Sequence, residues 1–246
     1  MDWSKAKNIL IIALIITNIL LFADLMLVKE EIELFDDNVI NDTLSILNER
    51  DIYVYAQIST EQKYLPVLEV EYDEITDEDI QHIINNQEDI RTLGISREQT
   101  VEKVERFLRE NGLEDEDMVL QEPIKYENNQ YILTYKKYYN NIALEECHMT
   151  VIAEDGVIVN IDRIWLNAIG KGKMAKKTIP VTTALLRFAS NLPSDAEKPI
   201  IITDIEAAYW LKTSAYDQEI TRQDTALPAW KITYNKNIDY ILAYED

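Results

Sequence analysis

Catalytic raw material is scarce in this chain of 246 residues, which holds five glycines, one cysteine and two histidines. So few glycines leave little for an anion-cradling loop, and no Gly-rich phosphate loop, HExxH or CxxC pattern occurs. The lone Cys147 excludes an intramolecular disulfide, which fits an envelope that does not depend on disulfides, such as that of a Gram-positive bacterium. Cys147 and His148 are neighbours in a strand-like run, so alternation sends their side chains to opposite faces and denies them a nucleophile–base pairing. Among 43 acids beyond residue 28, nothing singles out a carboxylate pair. The expectation is a protein that is not an enzyme, with no catalytic residues, no cofactor and no metal.

Positive charge is also short. Lys and Arg number 24 against 45 Asp and Glu, a net charge of −21. Residues 30–95 carry eighteen acids against three bases, residues 96–170 fifteen against eight, and residues 171–246 ten of each. Such a body repels polyanions, so no nucleic acid is expected as a partner. The gradient fits units with different surfaces, or solubility alone.

Long apolar runs are absent with one exception. Residues 8–28 carry a single charge, Asp24. Twenty-one residues give about 31 Å of helix, which matches the ~30 Å hydrocarbon core of a bilayer. Lys5 and Lys7 precede the run, whereas Glu30, Glu31 and Glu33 follow it. The positive-inside rule then keeps residues 1–7 as a cytoplasmic leader and sends the body outside. Trp3, Lys5 and Lys7 suit the inner membrane interface. A signal peptide is the competing reading, but the run continues past Ala23-Asp24 without a small-x-small cleavage site. The expectation is an uncleaved single-pass anchor in the cell membrane. Thr17 and Asn18 fall near mid-depth, where an amide is satisfied by another helix rather than by lipid, so both are candidate intramembrane contacts.

The remainder has the apolar content for a core and reads as α+β. Asp36 or Asp37 caps a helix carrying Ile40, Leu44 and Leu47. Residues 52–56 and 66–72 read as strands. Thr76 and Asp79 form a capping box ahead of Ile80, Ile83 and Ile84, and Ser96 with Gln99 forms a second. The second box opens a helix with Val101, Val104, Phe107 and Leu108, which Asn111-Gly112 ends. A meander follows: Gln130–Tyr139, a turn at Asn140-Asn141, residues 142–153, a turn at Asp155-Gly156, and residues 157–166. Alternation places Cys147, Met149 and Val151 on one face, and Val157, Val159 and Ile161 on one face of the next strand. The stretch 171–177, with four lysines, reads as a linker, the other reading being a dock for an acidic partner or an anionic wall polymer. A helix at 182–190, with Leu185, Leu186 and Ala189 on one side, then precedes a strand at 199–212 and a hairpin at 228–235 and 238–244. Helix followed by antiparallel strands therefore occurs twice, in units 30–170 (its acidic segment 30–95) and 171–246, so residues 157–166 and 199–212 should lie in different sheets.

Glu114 to Asp117 lack the spacing of a calcium loop and read as a solvated turn. Trp165 and Trp230 are candidate packing or interface aromatics, with packing the first expectation.

The leader Met1-Asp2-Trp3-Ser4-Lys5 fused to a single span, Asp155-Gly156 leading into Arg163-Ile164-Trp165-Leu166, and Pro228-Ala229-Trp230-Lys231-Ile232 together resemble the YycH/YycI family of regulatory proteins. The resemblance runs from leader to last hairpin, with residues 30–95 matching only in element order. It implies an accessory regulator of a WalK-like sensor histidine kinase, acting beside a YycH-like single-pass regulator, with no catalytic residues. The helix-plus-meander units also resemble the PepSY fold of secreted inhibitory modules. The alternative function is therefore a PepSY-type envelope inhibitor or chaperone-like module acting on a protease or cell-wall hydrolase.

Overall fold

In a computed structural model, the described residues are 14, 15, 17, 18, 37–59, 61–88, 91–172, 175–193, 195–211 and 223–244. Met1–Ile46 and Leu47–Asp246 form separate compact units. No helix among the described residues is long and apolar enough to cross a membrane. The expected anchor at 8–28 lies largely outside the described residues, as do Trp3, Lys5 and Lys7.

The chain is mixed α+β and rich in sheet. Helix α1 spans Asp37–Asn48 and is followed by β1 (Ile52–Val54), β2 (Tyr64–Leu65) and β3 (Leu68–Tyr72). Helices α2 (Asp77–Asn85) and α3 (Arg97–Glu110) come next. Both begin where the two capping boxes require: Asp79 and Gln99 donate backbone N–H groups to Thr76 and Ser96 and return side-chain oxygens to the cap N–H groups. Each box satisfies two of the four orphan N–H donors of its helix. Gly112, at φ +68°, follows α3.

Strands β4 (Met118–Leu120), β5 (Lys125–Glu127), β6 (Gln130–Tyr139), β7 (Ile142–Glu154) and β8 (Val157–Ile164) build the first meander. Asp155 and Gly156 take φ +51° and +81°, the left-handed pair that a two-residue hairpin needs. A Cβ on Gly156 would stand 2.9 Å from Ile95 Cδ1 and Lys103 Nζ, side-chain ends that can shift, so it is the left-handed backbone that favours glycine there. Strands β9 (Leu166–Lys171) and β10 (Lys176–Lys177), helix α4 (Val181–Asn191), and strands β11 (Ile200–Leu211), β12 (Gln223–Tyr234) and β13 (Asn237–Leu242) complete the body.

Two helix-covered halves share one sheet. In the first, Val104 and Leu108 of α3 and Ile80 of α2 pack on Leu133, Tyr135, Met149 and Val151. In the second, Ala184, Leu185 and Phe188 of α4 pack on Ile52, Ile202, Trp230 and Ile241. A third cluster joins them, with Leu68, Val70, Leu144, Cys147, Leu166 and Tyr209 all buried.

Four details depart from the sequence reading. The two strand sets are not in different sheets, because β7 pairs in parallel with β11 at Ala143↔Ala208 and Leu144↔Tyr209. Stretch 171–177 is not a free tether: β9 pairs with β3, and β10 pairs with β2. Two of its lysines set their ammoniums over aromatic rings, Lys171 over Tyr139 at 5.4 Å and Lys176 over Tyr244 at 5.5 Å. The register of β8 shifts opposite Ile152/Ala153, so Ile158 joins Ile161 in the core cluster under α2 and α3, with Val157 buried as well, rather than a strict alternation through Val159. Leu186 is exposed, while Val181, Ala184, Leu185 and Phe188 form the buried side of α4.

Candidate functional site

A connected polar constellation sits on a sheet face that carries no helix among the described residues, and an irregularity in β7 creates it. Lys136 pairs with His148, but Tyr138 already pairs with Ala143. One residue of β6, Lys137, thus stands opposite four of β7, residues 144–147, and the surplus backbone carries Glu145 and Glu146 out of simple alternation. Glu146 turns toward β11, where its carboxylate accepts the Leu211 N–H at 3.3 Å.

Glu145 becomes the hub. Its side chain is only 3% exposed, yet its two oxygens accept three bonds: from Lys136 Nζ at 2.9 Å, from Tyr240 Oη at 2.9 Å and from Lys231 Nζ at 3.1 Å. Lys231 also donates to Glu206 at 2.7 Å. Register explains the convergence, since Glu206, Lys231 and Tyr240 lie directly abreast on β11, β12 and β13. Their neighbours Ile205, Trp230 and Ile241 face α4, which sends these three to the opposite face. Burial disfavours the charged form of Glu145, but the Lys136 and Lys231 ammoniums prevail and hold its carboxyl below the usual value. Burial likewise opposes the charge on Lys231, and Glu206 with Glu145 raises its pKa nonetheless. Glu146 goes the other way, raised by burial and by the charge of Glu145.

Apolar side chains flank this ionic lock. The indole of Trp210 stacks on Tyr240 with ring centres 5.5 Å apart and 8° between planes. Tyr53 and Ile201 are paired across β1 and β11 and are 39% and 37% exposed, and Ile238 of β13 is 51% exposed. Their neighbours Ile52, Ile200 and Ile202 belong to the α4 core, so Tyr53 and Ile201 also point to the helix-free side. The result is a fixed charge pattern on the same sheet face as these exposed apolar groups.

The residues singled out from sequence are dispersed. Trp165 is buried; its Nε1 donates to Asp115 at 3.1 Å, and Arg163 lies 5.2 Å from its ring centre. Trp230 is buried in the α4 half and donates to the Ile179 carbonyl at 2.9 Å. Thr17 and Asn18 are helical and exposed. Cys147 is buried, its sulfur accepting the Leu166 N–H at 3.0 Å, and burial pushes its thiol up to about 12. His148 faces away from it, with Nε2 3.8 Å from Asp162. Sequence reasoning missed Lys136, Glu145, Lys231 and Tyr240. One signal was present: Glu145-Glu146 are two adjacent acids inside an otherwise apolar strand.

This electrostatic arrangement gives stability an uneven pH dependence. Glu146 has a raised folded pKa, so taking up its proton adds stability, beginning above its ordinary value of 4.5. Glu145 and Asp115 are depressed, so their contributions are complete above 4.5 and 3.8 and are lost as pH falls through the lower folded values. Urea denaturation should show stability rising from neutrality toward about pH 4.5 and falling below it. In Glu146→Gln the rise should shrink; an identical slope in both proteins would assign it to general charge repulsion instead.

No family profile matches the chain, and no curated protein matches it. Among solved structures, the chain is similar to an uncharacterized protein from Eubacterium rectale at 10% identity and a TM-score of 0.48, over 77% of this chain and 86% of that one. It is also similar to the YpeB C-terminal domain of Bacillus megaterium at 14% identity and a TM-score of 0.35, over 64% of each. Both scores are low, and neither likeness carries an argument about function.

Proposed function

We propose that this chain is a membrane-anchored accessory regulator that binds other proteins and tunes a WalK-like sensor histidine kinase, beside a YycH-like partner. The observation that supports the reading best is the helix-free sheet face, where Tyr53, Ile201 and Ile238 stay uncovered around the locked Glu145 network. Uncovered apolar groups beside rigid polar ones are the composition of a protein contact surface. The occupant we assign to it is the extracytoplasmic body of the sibling regulator, while the span, with Thr17 and Asn18, meets the kinase helices. The sequence resemblance supports both assignments. The two helix-covered halves fit a pair of PepSY-like units whose sheets have merged. Regulation then requires that the complex bind one kinase state better than another, because equal affinity shifts no equilibrium.

Affinity purification of the full chain from detergent-solubilised native membranes tests the reading. The expected co-purifying proteins are a sensor kinase and a second single-pass protein. Recovery of a protease or wall hydrolase in their place would overturn the kinase reading and favour an envelope inhibitor.

A further inference from the structure

Strand β13 ends the second half of the sheet with one edge open. Among the described residues it pairs with β12 alone, in a regular antiparallel register from Ala229↔Leu242 to Tyr234↔Asn237. The Ala243 N–H donates to the Pro228 carbonyl at 2.9 Å, so Ala243 turns its backbone toward β12. Alternation without a register shift turns Ile241, Asp239 and Asn237 the same way, and Ile238, Tyr240 and Leu242 outward. A local bond agrees. The Tyr240 N–H donates to Asp239 Oδ1 at 2.9 Å, where an inward residue would donate to β12.

An open edge of this length, about 20 Å, templates a further strand unless something blocks it. Strand β8 shows a blocked edge. There the Gln87 side chain accepts the Ile158 N–H at 3.1 Å, and the Asp73 N–H caps the Trp165 carbonyl at 2.9 Å. Strand β13 contains no proline, no lysine and no bulge, and Ile238 is exposed near its start.

We propose that this edge takes an extended segment of a partner protein as an added antiparallel strand, in which apolar and basic side chains alternate. The outward N–H and C=O groups of Ile238 and Leu242, with the Tyr240 carbonyl, supply the ladder. Alternation fixes the side chains of the incoming strand. Residues opposite Ile238, Tyr240 and Leu242 extend an apolar row on the helix-free side, and those between them meet Asp239, the only charge on β13. Total charge selects the same occupant. A body at −21 attracts a cationic segment, whereas a second copy brings another −21 and is repelled. The inference extends the helix-free face assigned above, whose margin Ile238 forms, but it rests on backbone pairing and not on the kinase reading.

The test is fluorescence anisotropy of a labelled, capped Lys-Val-Lys-Val-Lys-Val peptide titrated with the full chain in detergent, at about 0.15 M salt. Saturable binding is expected. The same peptide N-methylated at its valines keeps its charge but loses the N–H groups that face β13, and should bind roughly tenfold or more weakly. Ile238→Pro removes an outward N–H that β12 does not use, so the fold is kept while binding falls by roughly tenfold or more. Ile238→Ser retains that N–H and should bind within roughly threefold of the unmodified chain. No saturable binding, or equal affinity for the N-methylated peptide, would overturn the proposal. Equal losses in Ile238→Ser and Ile238→Pro would also overturn it, by assigning the contact to the side chain and leaving the helix-free face as a surface without strand addition. So would equal binding of a Glu-Val-Glu-Val-Glu-Val peptide, or a dimer of the chain that Ile238→Pro abolishes, which would make a second copy the occupant.

Discussion

Replacing Glu145 with alanine is expected to destabilise the body by about 3–5 kcal/mol, because it strands buried cations rather than merely deleting a contact. The Lys136 and Lys231 side chains are 22% and 11% exposed, so neither can recover full hydration where it stands. Tyr240 loses its acceptor at the same time. Lys231 keeps Glu206, which places the expected loss toward the lower end of that range. The reciprocal change, Lys136→Met, removes one charge from a hub that retains Lys231 and Tyr240, and should cost less. Urea denaturation followed by tryptophan fluorescence measures both. A loss below about 1 kcal/mol for Glu145→Ala would show that water screens the network as it screens a surface pair.

Trp230→Ala should be comparably severe, at about 3–5 kcal/mol, for a different reason. The indole fills the core between α4 and the second strand set, and its Nε1 satisfies the Ile179 carbonyl at the approach to α4. Truncation opens a cavity and orphans that carbonyl. Trp230→Phe restores most of the packing without the donor, so its residual loss of about 1–3 kcal/mol isolates the hydrogen bond. Equal losses for the two variants would assign the whole effect to the missing bond and none to packing.

What the sequence disclosed and what it hid divide along one physical line. Signals confined to a few neighbouring residues were legible. The boxes at Thr76–Asp79 and Ser96–Gln99 start α2 and α3, and Asp155-Gly156 turns the hairpin. Pairings set by long-range packing were not. Nothing local announces that β7 will lie parallel to β11, since that pairing covers only Ala143–Leu144 and Ala208–Tyr209. The partners of Glu145 were hidden for the same reason, standing 9, 86 and 95 positions away, although the paired acids Glu145-Glu146 in the strand were in view. The lysine-rich stretch misled because lysine composition reports a solvated ammonium and is silent on an ammonium held over a tyrosine ring or a strand pairing of its backbone. At Val159 a single register shift reverses the faces that alternation assigns.

The helix-free face is the centre of the functional account, and partner recovery tests it most directly. The full chain carrying Tyr53→Ser, Ile201→Ser and Ile238→Ser is purified from native membranes beside the unmodified protein. A control carries Leu93→Ser, an 85% exposed side chain distant in sequence from that face. The account predicts that the triple variant stays folded and loses the second single-pass protein by roughly fivefold or more, as truncating interface anchors does, while the control keeps it. Undiminished recovery with the triple variant would contradict the account and remove this face as the partner surface.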